Sequence, residues 1–175
     1  MSIGKIRSYF QKKDGTTAVE FALLFTPFFL LMMGVIELSL FYASGVAVEG
    51  AALSASRLVR TGQAQTSGDA QNAFENAMCS QVGVMVNCAD ITYEAINMGN
   101  SFSGAAATAV TLDDDGNMVS SGFDAGNPED VIMVRLAYRH EFLLPLLGQF
   151  LGDGTGTNSS QHVSTVVLRT EPYSF

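Results

Sequence analysis

The chain has 175 residues and a net charge of −8 at pH 7, and no lysine follows Lys13. From residue 16 onward, five arginines stand against sixteen acidic residues. Phosphate binding requires clustered Lys and Arg side chains, so nucleic acid is excluded as an expected partner. Beyond the first sixty residues there is enough chain for one domain only.

The first element is an apolar segment from Phe21 to Tyr42, in which the only charge is that of Glu37. A helix needs roughly 20 apolar residues to cross the hydrocarbon core of a membrane. A secretory signal peptide has a shorter apolar core, of about 7 to 15 residues. We therefore expect this segment to stay in the membrane as a single span. The basic residues before residue 14 predict a cytoplasmic N-terminus, with the rest of the chain on the far side.

The run from Lys12 to Phe21 reads KKDGTTAVEF. It resembles a prepilin processing site, in which a peptidase cuts after the glycine and leaves a glutamate as the fifth mature residue. With the apolar segment and the small-residue stretch that follows it, residues 12–62 resemble the TadE-like minor pilins, or pseudopilins, of the tight-adherence Flp pilus system.

This resemblance implies three parts: a leader over 1–15 that a prepilin peptidase removes, a transmembrane and stalk helix over 16–62, and an extracytoplasmic domain over 63–175. The processing site would be formed by Gly15, Thr16, Glu20 and Phe21. The implied protein is a structural subunit that assembles or primes a pilus for adhesion, held in the inner membrane with its domain in the periplasm or on the pilus. Its implied partners are the major pilin, other minor pilins, the prepilin peptidase, the inner-membrane assembly platform and membrane lipid.

A second hypothesis is an uncleaved, membrane-anchored binding or adhesin module in the periplasm. The two hypotheses assign different roles to the Glu20 carboxylate. After cleavage, Thr16 would carry a free amino group, and Glu20, four residues on, could offset that charge or one on a neighbouring subunit. Without cleavage, Glu20 would be a carboxylate that the helix dipole favours near a helix N-terminus. Glu37 is either solvated at the membrane interface or used in helix packing, because a carboxylate in hydrocarbon is costly.

The stalk has alanines at every fourth position, which places them on one helical face. The span is therefore expected to continue as a helix from about Thr17 to Arg60, with Thr61 and Gly62 ending it. Such a smooth face lets another helix approach closely, although alanine is also the best helix former. The predicted packing residues are Ala43, Ala47, Ala51 and Ala55.

The outer domain is predicted to be α+β, with a short helix and an antiparallel sheet of three to four strands packed against helix. The helix is expected over 70–79, capped by Ser67 or Asp69. The strands are expected over 89–97, 131–142 and 162–170. Between them we expect a mobile or partner-binding insertion over 99–128 with a small hairpin around 113–117, a short apolar helix or turn over 143–151, and an exposed loop over 152–160.

Cys79 and Cys88 are expected to form a disulfide, because the predicted orientation places them in an oxidising compartment. Together with His140 and His162 they show no familiar zinc-ligand spacing, so no metal is expected.

Asp113, Asp115 and Asn117 alternate like the start of a calcium loop, but Gly116 falls at the fourth position and no glutamate stands at the twelfth. A turn is the preferred interpretation. The chain lacks a nucleophile elbow and a phosphate loop, so neither an enzyme nor a cofactor is predicted.

Overall fold

The computed structural model describes residues 16–83, 85–153 and 158–173. The chain forms two compact units, Met1–Leu38 and Ser39–Phe175. Helix α1 (Thr16–Arg60) runs from the first unit into the second, and its 45 residues correspond to about 68 Å at 1.5 Å per residue. It ends where the sequence predicted, since Gly62 has a φ of 75°, a value that glycine adopts without steric cost.

Within the first unit, α1 is apolar and its side chains are mostly exposed. It is the one helix, among the residues that the structure describes, with the length and composition to cross a membrane. Phe21, Phe25 and Phe29 lie one turn apart, and successive rings stack with centroids 5.3 and 5.6 Å apart. Contacts between side chains at i and i+4 stabilise a helix. They are available here although this stretch is not buried in a protein core.

The second unit is α+β, as predicted. Its three strands, β1 (Ile91–Asn97), β2 (Val131–Glu141) and β3 (Ser159–Arg169), form one antiparallel sheet with β2 in the centre. Asp69 caps the second long helix by accepting a hydrogen bond from the Asn72 N–H at 3.0 Å, so of the two predicted caps Asp69 is the one used. After α1 the elements are α2 (Gln63–Thr66), α3 (Ala70–Val82), a 3₁₀ turn (Cys88–Asp90), β1 (Ile91–Asn97), α4 (Ser103–Ala107), β2 (Val131–Glu141), α5 (Pro145–Leu151) and β3 (Ser159–Arg169).

One face of the sheet packs on the outer half of α1 and on α3. Alternate residues of β2 point to this face, because strand side chains alternate between the two faces. The core contains Ile132, Val134 and Leu136 from β2, Val48, Ala51, Ala52, Ala55 and Val59 from α1, and Phe74 and Met78 from α3.

The opposite face of the sheet is covered as well. Met133, Arg135 and Ala137 are buried there, and Met118 from the preceding connection is buried too. The connection then runs beside β1, where Ala95 donates its N–H to the Gly122 carbonyl at 3.1 Å and accepts from the Asp124 N–H at 2.8 Å. The second half of the insertion predicted over 99–128 is therefore hydrogen-bonded to β1, and its mobility or partner binding stays a prediction. Its polar, glycine-rich composition gave no sign of these backbone contacts.

The predicted hairpin around 113–117 is confirmed, since Leu112 and Met118 form an antiparallel bridge and the Val119 N–H donates to the Thr111 carbonyl at 2.8 Å. One boundary needed revision. Strand β3 begins at Ser159, so part of the predicted loop over 152–160 is strand, and Ser159 is buried.

Candidate functional site

The predicted processing site lies at the start of α1. Gly15 and the leader lie outside the described residues. Thr16 is the first described residue of the helix, and Glu20 follows four residues later, on the same helical face. Glu20 and Phe21 are exposed, as a segment that meets a partner or lipid requires. Processing at this position stays a prediction.

Glu37 differs from most of its neighbours in the apolar segment, since only 4% of its surface is exposed. Its burial favours a packing role over a solvated carboxylate. A buried carboxylate in an apolar segment needs an interaction partner to stabilise it, and residues of this kind are therefore functional candidates.

The alanine face of α1 meets the chain's own sheet. Ala51 and Ala55 are fully buried in the core of the second unit, and Ala43 and Ala47 are half-buried. The residues exposed on this part of the helix include Val46 and Leu53. The small side chains thus let the sheet approach α1 closely. That the same face also packs against another subunit stays a prediction.

An aromatic cluster joins the outer end of the apolar segment to the sheet. The Phe41 ring lies 4.4 Å from the His162 ring, 5.3 Å from Phe142 and 5.5 Å from His140, measured between centroids. Gly45, one turn along α1, makes room for this contact, because a Cβ there would lie 3.1 Å from His162 Cε1. This cluster was missed by sequence reasoning, since nothing in the sequence links positions a hundred residues apart.

Burial within this cluster disfavours the charged form of His162. Burial lowers the pKa of His162, and the neighbouring His140 lowers it further, while a hydrogen bond to the Phe41 carbonyl opposes both effects. His162 Nε2 is buried and has no hydrogen-bond partner among the described residues. Ser44 Oγ lies 3.5 Å from His140 Nδ1, a marginal hydrogen bond. The geometry serves packing, and it holds no activated nucleophile.

A buried ion pair lies on the far face of the sheet. Arg135 Nη1 is 3.1 Å from Glu94 Oε1, and the side chains are 5% and 2% exposed. These residues face each other across β1 and β2. Arg135 also donates to the carbonyls of Thr108 and Ala109, and the second carboxylate oxygen accepts the Ser121 N–H at 3.0 Å. The ion pair therefore holds the connection between β1 and β2 against this face of the sheet.

Arg139 forms a second, more exposed set of contacts, which connects β2 to the segments that precede β2 and β3. It donates to Asn117 Oδ1 at 2.6 Å and to Ser159 Oγ at 2.9 Å, and it pairs with Asp153 at 3.1 Å. The Asp113 carboxylate accepts the N–H groups of Asp115 and Asn117, and the Asn117 bond is the main reason that the pKa of Asp113 is lowered. The acidic run is therefore a hydrogen-bonded turn, as the spacing indicated.

Cys79 and Cys88 are joined by a disulfide, with their Cα atoms 5.3 Å apart. The bond connects the end of α3 to the 3₁₀ turn before β1. Within residues 16–83, 85–153 and 158–173, no group of three or more His, Cys, Asp or Glu side chains is arranged to hold a metal ion.

Comparison with known protein families places a match at the N-terminal part of the chain. Residues 15–57 match the family described as TadE-like protein, which covers the start of α1, the apolar segment and most of its outer half. No curated protein and no solved structure matches the chain. Residues 15–57 are thus similar to the TadE-like family, the family that the resemblance in the sequence indicated.

Proposed function

We propose that this chain is a minor pilin, or pseudopilin, of a Tad/Flp-type pilus. In this proposal it is cut between Gly15 and Thr16, held by α1 in the inner membrane, and incorporated into or used to prime the pilus. The observation that carries the proposal is the family match itself. It begins at residue 15, the predicted cleavage glycine, and covers Glu20 and the whole apolar segment of α1.

The chemistry of the new N-terminus supports this function. After cleavage the α-amino group of Thr16 would be a cation at the end of an apolar helix, and Glu20 lies on the same face one turn away. An opposite charge nearby favours the ionised carboxylate, in this subunit or in a neighbour. Glu20 is thus proposed to align subunits during assembly with the major pilin and other minor pilins.

The proposed topology follows from charge. Lys5, Arg7, Lys12 and Lys13 precede the apolar segment, and the next cation is Arg57. The excess of cations on one flank favours a cytoplasmic N-terminus and a periplasmic domain. The Cys79–Cys88 disulfide agrees with this side of the membrane, because disulfides persist in oxidising compartments.

The intact mass of the membrane-extracted protein tests the proposal. With the cognate prepilin peptidase present, the mass should correspond to residues 16–175, with or without a methyl group on the new N-terminus. Gly15→Leu should leave the full-length chain. Gly34→Leu is the matched control, because a Cβ at Gly34 meets no atom within 4 Å, and this variant should be cut normally. Full-length protein as the only species beside an active peptidase would support the uncleaved binding module instead.

The assembly role has its own test. Glu20→Ala should be processed normally but should lose co-purification with the partner pilins, because the compensating charge is removed. Glu49→Ala removes an equally exposed carboxylate from the outer half of the same helix and should assemble like the wild type. Normal assembly of Glu20→Ala would show that charge pairing at this residue is not used.

A further inference from the structure

The connection between β2 and β3 exposes apolar side chains. From Phe142 to Leu151 the sequence reads FLLPLLGQFL and contains no charge. Phe142 is buried, but Leu146 is 62% and Phe150 is 78% exposed, and Leu143 is exposed to a similar degree. Helix α5 therefore presents large apolar side chains outward, where a soluble surface would carry polar ones.

These side chains lie at one particular end of the domain. Phe142, the residue before the exposed run, packs against Phe41 with ring centroids 5.3 Å apart. Phe41 and Tyr42 are the last residues of the predicted membrane segment and belong to the same compact unit as α5. The exposed run therefore begins one residue from a contact with the outer end of the apolar segment.

The opposite end of the sheet, where β2 begins, is richer in polar contacts. It lies about 30 Å from the α5 end, the length of a ten-residue strand. There, Arg60 pairs with Glu171, and Asp130 accepts hydrogen bonds from Asn97 and Asn127. Phe102 is also at that end, because the backbone of Gly99 accepts the Val131 N–H at the start of β2. The α5 end also carries exposed Glu141 and the Arg139–Asp153 pair, so what defines it as the apolar end is its run of large exposed apolar side chains.

We propose that Leu143, Leu146 and Phe150 insert into the headgroup and acyl boundary of the membrane that α1 crosses, so that the domain rests on the bilayer before assembly. This inference depends on the membrane span of the proposed function. The covalent tether holds the apolar end at the membrane surface, and an uncharged segment with Phe and Leu outward has the composition of an interfacial anchor. Tyr42, exposed beside it, suits the same layer, where tyrosine is enriched.

The chain has no tryptophan, so a single tryptophan can report depth in the bilayer. We would reconstitute full-length Phe150→Trp in phosphatidylcholine vesicles whose acyl chains are brominated near the headgroup. The matched control is Phe102→Trp, the same substitution at a side chain that is 54% exposed at the polar end. Contact with acyl chains should quench at least about half of the emission at position 150 and less than about a tenth at position 102.

Equal quenching at the two positions would overturn the inference. A blue-shifted emission from Phe150→Trp that brominated lipid leaves unchanged would also overturn it, because protein and not lipid would then cover the side chain. Phe29→Trp, near the middle of the apolar segment, separates this inference from the membrane span when it is measured in vesicles whose acyl chains are brominated near the bilayer centre. Quenching at 29 without quenching at 150 leaves the span intact and refutes only the interfacial contact, whereas no quenching at either position refutes both.

Discussion

Glu94 and Arg135 form the most consequential polar contact in the second unit. A buried ion pair is not in itself strong evidence of stability, because desolvation opposes the attraction between the charges. Here the pair also satisfies the carbonyls of Thr108 and Ala109 and the Ser121 N–H. Its removal would release the connection that covers the far face of the sheet.

Glu94→Gln should lower the free energy of unfolding by about 3–5 kcal/mol, because Arg135 would keep an uncompensated buried charge. Glu171→Gln is the control. It removes the partner of Arg60 in a pair whose side chains are 61% and 56% exposed, and it should cost at most about 1 kcal/mol. Denaturant unfolding of the detergent-purified protein measures both values. Equal costs would show that burial does not strengthen the first pair.

His162 should make stability depend on pH. Its pKa is lowered in the folded protein, chiefly by burial, so the unfolded chain binds a proton more readily. The stability is therefore fully present above the unfolded pKa of about 6.5 and is lost as the pH falls toward the lower folded value. His140 faces the same cluster, and Glu49 lines the groove beside His162.

The pH effect is isolated by comparing the wild type with His162→Gln, which cannot titrate, in unfolding experiments at a series of pH values. Their difference in stability should narrow below pH 6.5. A constant difference down to acidic pH would contradict the assignment to His162.

The C-terminal end of α1 is fixed by a segment from the other end of the chain. Glu171 donates its N–H to the Arg60 carbonyl at 2.8 Å. The Tyr173 ring lies over Gly62, where an added Cβ would approach it to 2.5 Å. The helix stop and the C-terminal segment therefore depend on each other.

Gly62→Ala and Gly68→Ala separate the effect of backbone conformation from that of packing. Both glycines have a positive φ, 75° and 82°, but a Cβ at Gly68 meets nothing within 4 Å. Gly68→Ala should cost about 1–2 kcal/mol for the left-handed conformation alone. Gly62→Ala should cost about 1–3 kcal/mol more, because Tyr173 must move. Similar denaturation midpoints for the two variants would mean that Tyr173 does not restrict this site.

The disulfide connects two elements that contact each other near their ends. In the chain-entropy model, closing a loop of about ten residues stabilises the fold by about 2.7 kcal/mol. Replacing both Cys79 and Cys88 with serine should lower the free energy of unfolding by this order. The wild type in strong reductant should match the double variant, and a wild type unaffected by reductant would show that the bond contributes little.

At the scale of the molecule, the core of the second unit is made within residues 48–168. A fragment starting at Ser39 should therefore fold without the apolar segment. A fragment starting at Gln63 is the matched control. It lacks Val48, Ala51, Ala55 and Val59, which leaves one face of the sheet uncovered, and it should not fold. Circular dichroism melting curves distinguish the two outcomes, and a cooperative transition in the shorter fragment would contradict the importance of α1.

Much of this architecture could be predicted from local sequence patterns. The C-terminal end of α1, the cap at Ser67 or Asp69 and the three strands follow from spacing and turn residues. The contacts of Glu94 with Arg135 and of Phe41 with His162 could not be predicted, because they depend on how distant segments meet. The backbone contacts made by the second half of the connection over 99–128 could not be predicted for the same reason. It is held by backbone groups, which every residue carries regardless of its side chain.

The hydrogen bond from Glu171 to Arg60 joins the segment after β3 to the end of α1, and β1 and β2 are also far apart in sequence. Such a topology has a high contact order, which slows folding because long loops must close before their contacts form. Under the proposed topology, the core would be completed only after Leu168 had crossed the membrane. Until then the core-facing side of α1 and the strands would be uncovered, so the folding rate and the supply of chaperones, as well as the stability of the final structure, should set the yield of folded protein.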